Sequence, residues 1–198
     1  MRTTLARGAW IELEPGWLGE READQALARL RAELTWEQRA IVLFGRSVLQ
    51  PRLVAWAGGL GYRYSGQTLE PRAFPPVLEG LRERVRERAG VPFNHVLANR
   101  YRDGRDSMGM HADDEPELGD DPVVATLSLG ATRRLVLKPR RKGDGPGLEL
   151  DLVHGSLALM GGTCQRHYVH GVPRQGRVHA ERISLTFRWL RRAPQPST

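Results

Sequence analysis

Residues 182–189 read Arg-Ile-Ser-Leu-Thr-Phe-Arg-Trp, with every even position polar and every odd position apolar. A period of two is that of a β-strand, whose successive side chains point to opposite sides. The odd face belongs in a core, and the even face carries two arginines flanking two hydroxyls. Taken alone, such a strand would show its polar face to solvent.

The same texture extends back to residue 91. VLANRY (96–101), VVATLSLG (123–130), RRLVLKP (133–139), LELDLVHGSLALMGG (148–162) and RHYVHGV (166–172) are short runs rich in Val, Leu and Thr, divided by Gly, Pro and Asp. Repeated short strands between turn signals predict a sandwich or barrel. RRKGDGPG at 140–147 predicts a basic hairpin turn, because its glycines and Pro146 suit a tight reversal.

Before residue 91 the periodicity is helical. Ala23, Leu27, Leu30 and Leu34 recur at spacings of four, three and four, which predicts an amphipathic helix over 20–34. Leu78, Leu81 and Val85 form a second stripe, in a helix expected to run from Pro75 or Pro76 to Ala89 and to end at Gly90. The reading is one mainly β domain with flanking helices (α+β). It divides into a helical and loop region (1–90), a β-rich core (91–190) and a frayed tail (191–198).

Thirty Lys plus Arg against 23 Asp plus Glu leave a net charge of +7, and only Lys138 and Lys142 are lysines. Arginine forks match phosphate and carboxylate, so the excess suits a polyanionic partner; arginine on solvated faces would give the same count. Cys164 is the one cysteine, which excludes an intramolecular disulfide and a cysteine zinc cluster within the chain. No segment approaches the ~20 apolar residues that span a bilayer, and a cytoplasmic location is expected.

In GMHADDEP (109–116), His111 and Asp113 are two apart, so an extended chain turns both toward one side. A third ligand must come from elsewhere, among His95, His154, His167, His170 and His179. His170, at a strand end before Gly171, Val172 and Pro173, is the best placed, with His167 as its rival. Two imidazoles and a carboxylate with open positions form the facial triad that suits non-haem iron(II), whereas zinc prefers a closed or more nitrogen-rich site. On the strand that begins twelve residues after His170, Arg182 and Arg188 offer bidentate partners for a dicarboxylate.

The ordered set of Asn99, Tyr101, Asp103 and Gly104, then HADDEPELG (111–119), SLGATR (128–133), GxxQ ending at Gln165, HxVP starting at His170, and RISLTFR resembles the AlkB family of Fe(II)/2-oxoglutarate-dependent nucleic-acid dealkylases over about residues 40–190. The resemblance implies a double-stranded β-helix, or jelly roll. It implies iron on His111, Asp113 and His170, and the two carboxylates of 2-oxoglutarate on Arg182 and Arg188, with Asn99, Tyr101 and Thr186 completing that pocket. Oxygen and 2-oxoglutarate would be consumed, and an N-linked methyl group would leave as formaldehyde. It further implies a nucleotide-recognition lid in LFGRSVLQPR (43–52) and YRYSG (62–66). There Leu43, Phe44 and Gly45 would probe the base stack, while Tyr62, Tyr64 and Ser65 would lie at a flipped base. Asp114 and Glu115 would shape the base pocket or orient arginines. Arg52, Arg100, Arg102, Arg105, Arg140, Arg141 and Lys142 are candidate phosphate contacts. Tyr168 departs from the family, whose members often carry Trp there.

The expected activity is repair of 1-methyladenine and 3-methylcytosine in DNA, with RNA as an open second substrate and no obligate protein partner. The alternatives are the same iron chemistry on a protein or lipid, and a non-catalytic cupin-like module that binds nucleic acid. A zinc hydrolase would lack a general base beside the triad and leave Arg182 and Arg188 without a role.

Overall fold

A computed structural model describes residues 1–43, 45–64 and 67–191. The first half of the chain forms β1 (Arg2–Thr4), β2 (Trp10–Glu14), α1 (Glu20–Glu33), β3 (Ala40–Leu43), β4 (Arg46–Leu49), β5 (Leu53–Gly58), β6 (Tyr62–Tyr64), β7 (Gln67–Leu69) and α2 (Pro76–Ala89). The second forms β8 (His95–Tyr101), β9 (Met108–His111), β10 (Val124–Gly130), β11 (Arg133–Pro139), β12 (Leu148–Leu152), β13 (Ser156–Gly161), α3 (Cys164–His167), β14 (Tyr168–Val172) and β15 (Arg182–Arg188).

Seven strands pair in the order β1-β2-β13-β10-β15-β8-β5 and four in the order β12-β11-β14-β9. Every pairing in both sheets is antiparallel. The inner faces of the two sheets meet in one apolar cluster, in which Val124, Ala158 and Met160 of the larger sheet join Leu135, Leu137, Leu152 and Tyr168 of the smaller side. Two facing sheets of this kind make a jelly roll. The β3–β4 and β6–β7 hairpins stand as separate two-stranded sheets.

Both helices lie where the 3.6-residue stripes predict them. Pro76 opens α2, and Gly90 closes it at φ 67°, a left-handed conformation that glycine adopts without strain. Their apolar sides cover the outer face of the large sheet: Leu30, Leu78, Leu81 and Val85 pack with Ile183, Leu185 and Phe187 of β15. Truncating one of these side chains, Leu185→Ala for instance, would cost about 2–5 kcal/mol.

All seven residues of β15 are buried. Its polar face is not at the surface, because it looks into the space between the two sheets. The division at residue 90 also does not follow the sheet. β2 pairs with β13, and β5 pairs with β8 over Leu53–Gly58, so the first 90 residues supply three strands of the large sheet. LVAWAG (53–58) is a continuous apolar run buried on both faces, and such a run carries no alternation to reveal it as a strand. Among the described residues, no helix is long and apolar enough to cross a membrane.

Candidate metal and co-substrate site

β9 and β14 run side by side with His111 directly opposite His170, and the two imidazole rings lie 4.3 Å apart. The ladder ends at His111, and two residues on Asp113 is fully buried. Ligating atoms of His111, Asp113 and His170 all lie within 4.8 Å of one another. His167 is not in this group. It sits on α3, with Nδ1 3.7 Å from Asp144.

The protonation states suit a metal. Burial alone would raise the Asp113 carboxyl, but the cations around it, Arg188 first, hold it down at about 2. Arg188 Nη2 donates to Asp113 Oδ1 at 2.7 Å, whereas Asp113 Oδ2 has no hydrogen-bond partner among the described residues. Burial pushes His170 down to about 3, helped by the neighbouring His111, and it lowers His111 as well. The Gly109 carbonyl lies 3.0 Å from His111 Nδ1 and can only accept, so the His111 lone pair is on Nε2. Two neutral imidazoles and an ionised carboxylate with an unpartnered buried oxygen match what a divalent ion needs from its ligands.

The co-substrate candidates follow from strand register. Arg182 lies opposite Tyr101, Ser184 opposite Asn99, Thr186 opposite Leu97 and Arg188 opposite His95. On the other side of β15, Ser184 lies opposite Ser128 and Thr186 opposite Thr126. Directly opposed residues share a face, so these side chains line one inner surface. Arg182 Nε donates to Ser128 Oγ at 2.8 Å, its guanidinium lies 5.2 Å from the Tyr101 ring, and Nη1 has no hydrogen-bond partner among the described residues. No carboxylate among the described residues pairs with it. Burial lowers its pKa to about 10, which still leaves it charged at neutral pH and ready for a ligand carboxylate.

Arg52 differs from expectation. It is 5% exposed, and its Nε donates to Asn99 Oδ1 at 2.7 Å, so it backs Asn99 from within rather than facing phosphate. Several other expected phosphate contacts have acidic partners: Arg100 with Glu181, Arg102 with Asp106, Arg105 with Asp103 and Arg140 with Asp114. Arg141 and Lys142 sit exposed in the β11–β12 turn.

Tyr62 is buried edge-on against His95, with ring centroids 4.8 Å apart, and Arg188 lies 5.6 Å from its ring. Burial and then Asp113 raise the Glu115 carboxyl, which lies near Tyr62. Asp114 is exposed and turns outward to Arg140. Gly45 turns the β3–β4 hairpin at φ 75°. Phe44 and Ser65 lie outside the described residues, as do the side chains of Leu43 and Tyr64.

Sequence reasoning missed Arg133, Ser128, Ser184 and Gln165. Arg133 is 1% exposed and donates to the carbonyls of Asp103, Asp106 and Pro173 at 3.0, 2.8 and 2.8 Å, tying two loops behind Tyr101. Its signal was the alternation of RRLVLKP, which puts Arg133 on the same face as Leu135 and Leu137.

Comparison with known proteins places this geometry. The description "2OG-Fe(II) oxygenase superfamily" matches residues 11–188. The chain is 42% identical over 184 residues to the alpha-ketoglutarate-dependent dioxygenase alkB homolog 3 of Rattus norvegicus, covering 89% of this chain and 62% of that protein. It is 40% identical over 181 residues to the DNA oxidative demethylase ALKBH2 of Mus musculus, covering 86% of this chain and 76% of the relative. The chain thus spans less than two thirds of the length of the first of these relatives. A solved structure of OsALKBH1 superposes with a TM-score of 0.65 at 16% identity, over 90% of this chain and 97% of that one, and so shares the fold.

Proposed function

The chain belongs to the 2OG-Fe(II) oxygenase superfamily and, within it, to the AlkB family, and on that premise we propose that it oxidatively demethylates N-alkylated bases, 1-methyladenine and 3-methylcytosine, in DNA. RNA is the second substrate to be tested. The observation that carries the reading is the meeting of His111, Asp113 and His170, with Asp113 gripped by Arg188 at one end of β15, while Arg182 at the other end is buried and has no carboxylate partner among the described residues.

His111, Asp113 and His170 would hold ferrous iron. When bound, the metal activates oxygen at the expense of 2-oxoglutarate, and the hydroxylated N-methyl group leaves as formaldehyde. The protein's part is to hold charge and exclude water. Arg182 binds one carboxylate end of 2-oxoglutarate, with Tyr101, Asn99 and Thr186 shaping the pocket around it. Arg188 keeps Asp113 ionised and retains Nε and Nη1 for the co-substrate's other end. Tyr62 and Glu115 present polar groups to a flipped base, with the β3–β4 hairpin as the wedge. Arg141 and Lys142 contact the phosphate backbone, and a cytoplasmic location fits a single buried thiol.

Product analysis by mass spectrometry tests this reading on methylated single- and double-stranded DNA and RNA, with ferrous iron and 2-oxoglutarate supplied. Succinate and formaldehyde should appear in equal amounts, and only with a methylated strand. Absence of turnover on every methylated oligonucleotide would overturn it. Binding that falls steeply with salt separates a nucleic-acid substrate from a protein or lipid one.

A further inference from the structure

The β9–β14 ladder stops at His111, so the backbone N–H of Asp113, buried with its side chain, needs an acceptor from outside the sheet. Gln165 supplies it. This side chain is 1% exposed, and its Oε1 lies 3.0 Å from Asp113 N, a contact made across 52 residues of sequence. At the other end of the same amide, Nε2 donates to the Met160 thioether sulfur at 3.9 Å. The first contact fixes the orientation, because a flipped amide would set its NH2 against the Asp113 N–H, donor against donor.

Gln165 stands on α3, which runs directly into β14 and His170. The helix is tied on both sides. Thr163 Oγ1 donates to the Arg7 carbonyl at 2.7 Å, and Arg140 N donates to the His167 carbonyl at 2.8 Å. The segment that delivers one candidate ligand therefore also grips the backbone of another.

We propose that Gln165 is a positioning residue of the metal site, holding the chain at Asp113 so that its carboxylate, gripped by Arg188, converges with His111 and His170. The inference rests on the reading of those three side chains as iron ligands. Removing a group that orients a ligand costs metal affinity roughly 10–100-fold. Its loss should also expose a backbone N–H that no strand protects.

The test is titration of the full-length apoprotein with Mn(II), which substitutes for ferrous iron without reacting with oxygen, followed through the free-ion resonance signal. Gln165→Met keeps the length and removes the acceptor; it should weaken Mn(II) binding about tenfold, while the orphaned N–H lowers the thermal midpoint by several degrees with the fold retained. Gln165→Asn, which keeps the amide but draws it back by one methylene, should do the same. Hydrogen exchange in the wild-type apoprotein gives a readout that needs no variant: the Asp113 amide should exchange far more slowly than the amide of its exposed neighbour Asp114. Unchanged Mn(II) affinity in either folded variant, or equal exchange at the two amides, would overturn the proposal. Failure of the wild-type protein to bind Mn(II) would instead overturn the iron-ligand reading itself.

Discussion

The two ends of one strand face carry the same residue type in opposite electrostatic settings. Arg182 and Arg188 are both 1% exposed and both look into the space between the sheets. Arg188 has Asp113 at 2.7 Å, and although burial works against its charge, that carboxylate more than restores it. Arg182 has a hydroxyl and an aromatic ring for company and no acid among the described residues, so burial leaves its pKa below the ordinary value. A buried cation without a counter-charge is costly to keep, whereas a paired one is costly to break. On the proposed reading, the difference separates two roles that the sequence had joined in one clamp: Arg188 would serve the metal site first, and Arg182 the co-substrate.

Substitution of the two arginines should therefore give different failures. The largest effect is expected from Arg188→Met, which strands the Asp113 carboxylate in a dry interior; it should destabilise the fold by about 3–5 kcal/mol and abolish metal binding. Urea denaturation and Mn(II) titration measure both. Arg182→Met removes an unanswered charge, so stability should stay within ~1 kcal/mol or rise. Its activity should fail at high-affinity co-substrate binding, with KM for 2-oxoglutarate up roughly 30–160-fold, as expected for ~2–3 kcal/mol of charge-assisted hydrogen bonding. If both variants lost stability equally, the distinction between the two ends would be gone.

A smaller effect sharpens the picture of the paired end. His95, opposite Arg188, is held at about 3 chiefly by burial, then by that guanidinium, against an ordinary value of 6.5. Because the folded pKa is the lower one, the unfolded chain binds more protons between these values. His95 therefore contributes stability that is complete above 6.5 and is lost as pH falls toward 3. Apoprotein stability should drop by up to ~1.4 kcal/mol per pH unit for each such histidine in that window, and His95→Phe should flatten the slope. The smallest effect concerns Cys164, whose thiol burial raises to about 12 with help from Asp113. Iodoacetamide should modify it at neutral pH only as fast as the protein unfolds.

Much of this architecture was legible because it is periodic. The alternation in 182–188 identified the strand and its two faces, and the helical stripes gave α1 and α2 nearly to the residue. His111 and Asp113 were legible as a local pair. That the inner face was a closed interior was not, because a single strand does not say what covers it. Arg52 looked like a surface cation, and only the pairing of β5 with β8 turns it toward Asn99. Gln165 was visible as a motif letter without a task, since its partner lies 52 residues away. Long-range register leaves no local trace, which is also why β2 and β5 are not visible in the sequence alone.

The most direct measurement is an anaerobic titration of the apoprotein with ferrous iron and 2-oxoglutarate, watched for the visible charge-transfer absorption of a metal chelated by the keto acid. The band should appear only when both are present, persist in Arg182→Met at higher 2-oxoglutarate, and vanish in His170→Ala. A band undiminished in His170→Ala, or none in the wild-type protein, would contradict the convergence of residues 111, 113 and 170 on one ferrous ion.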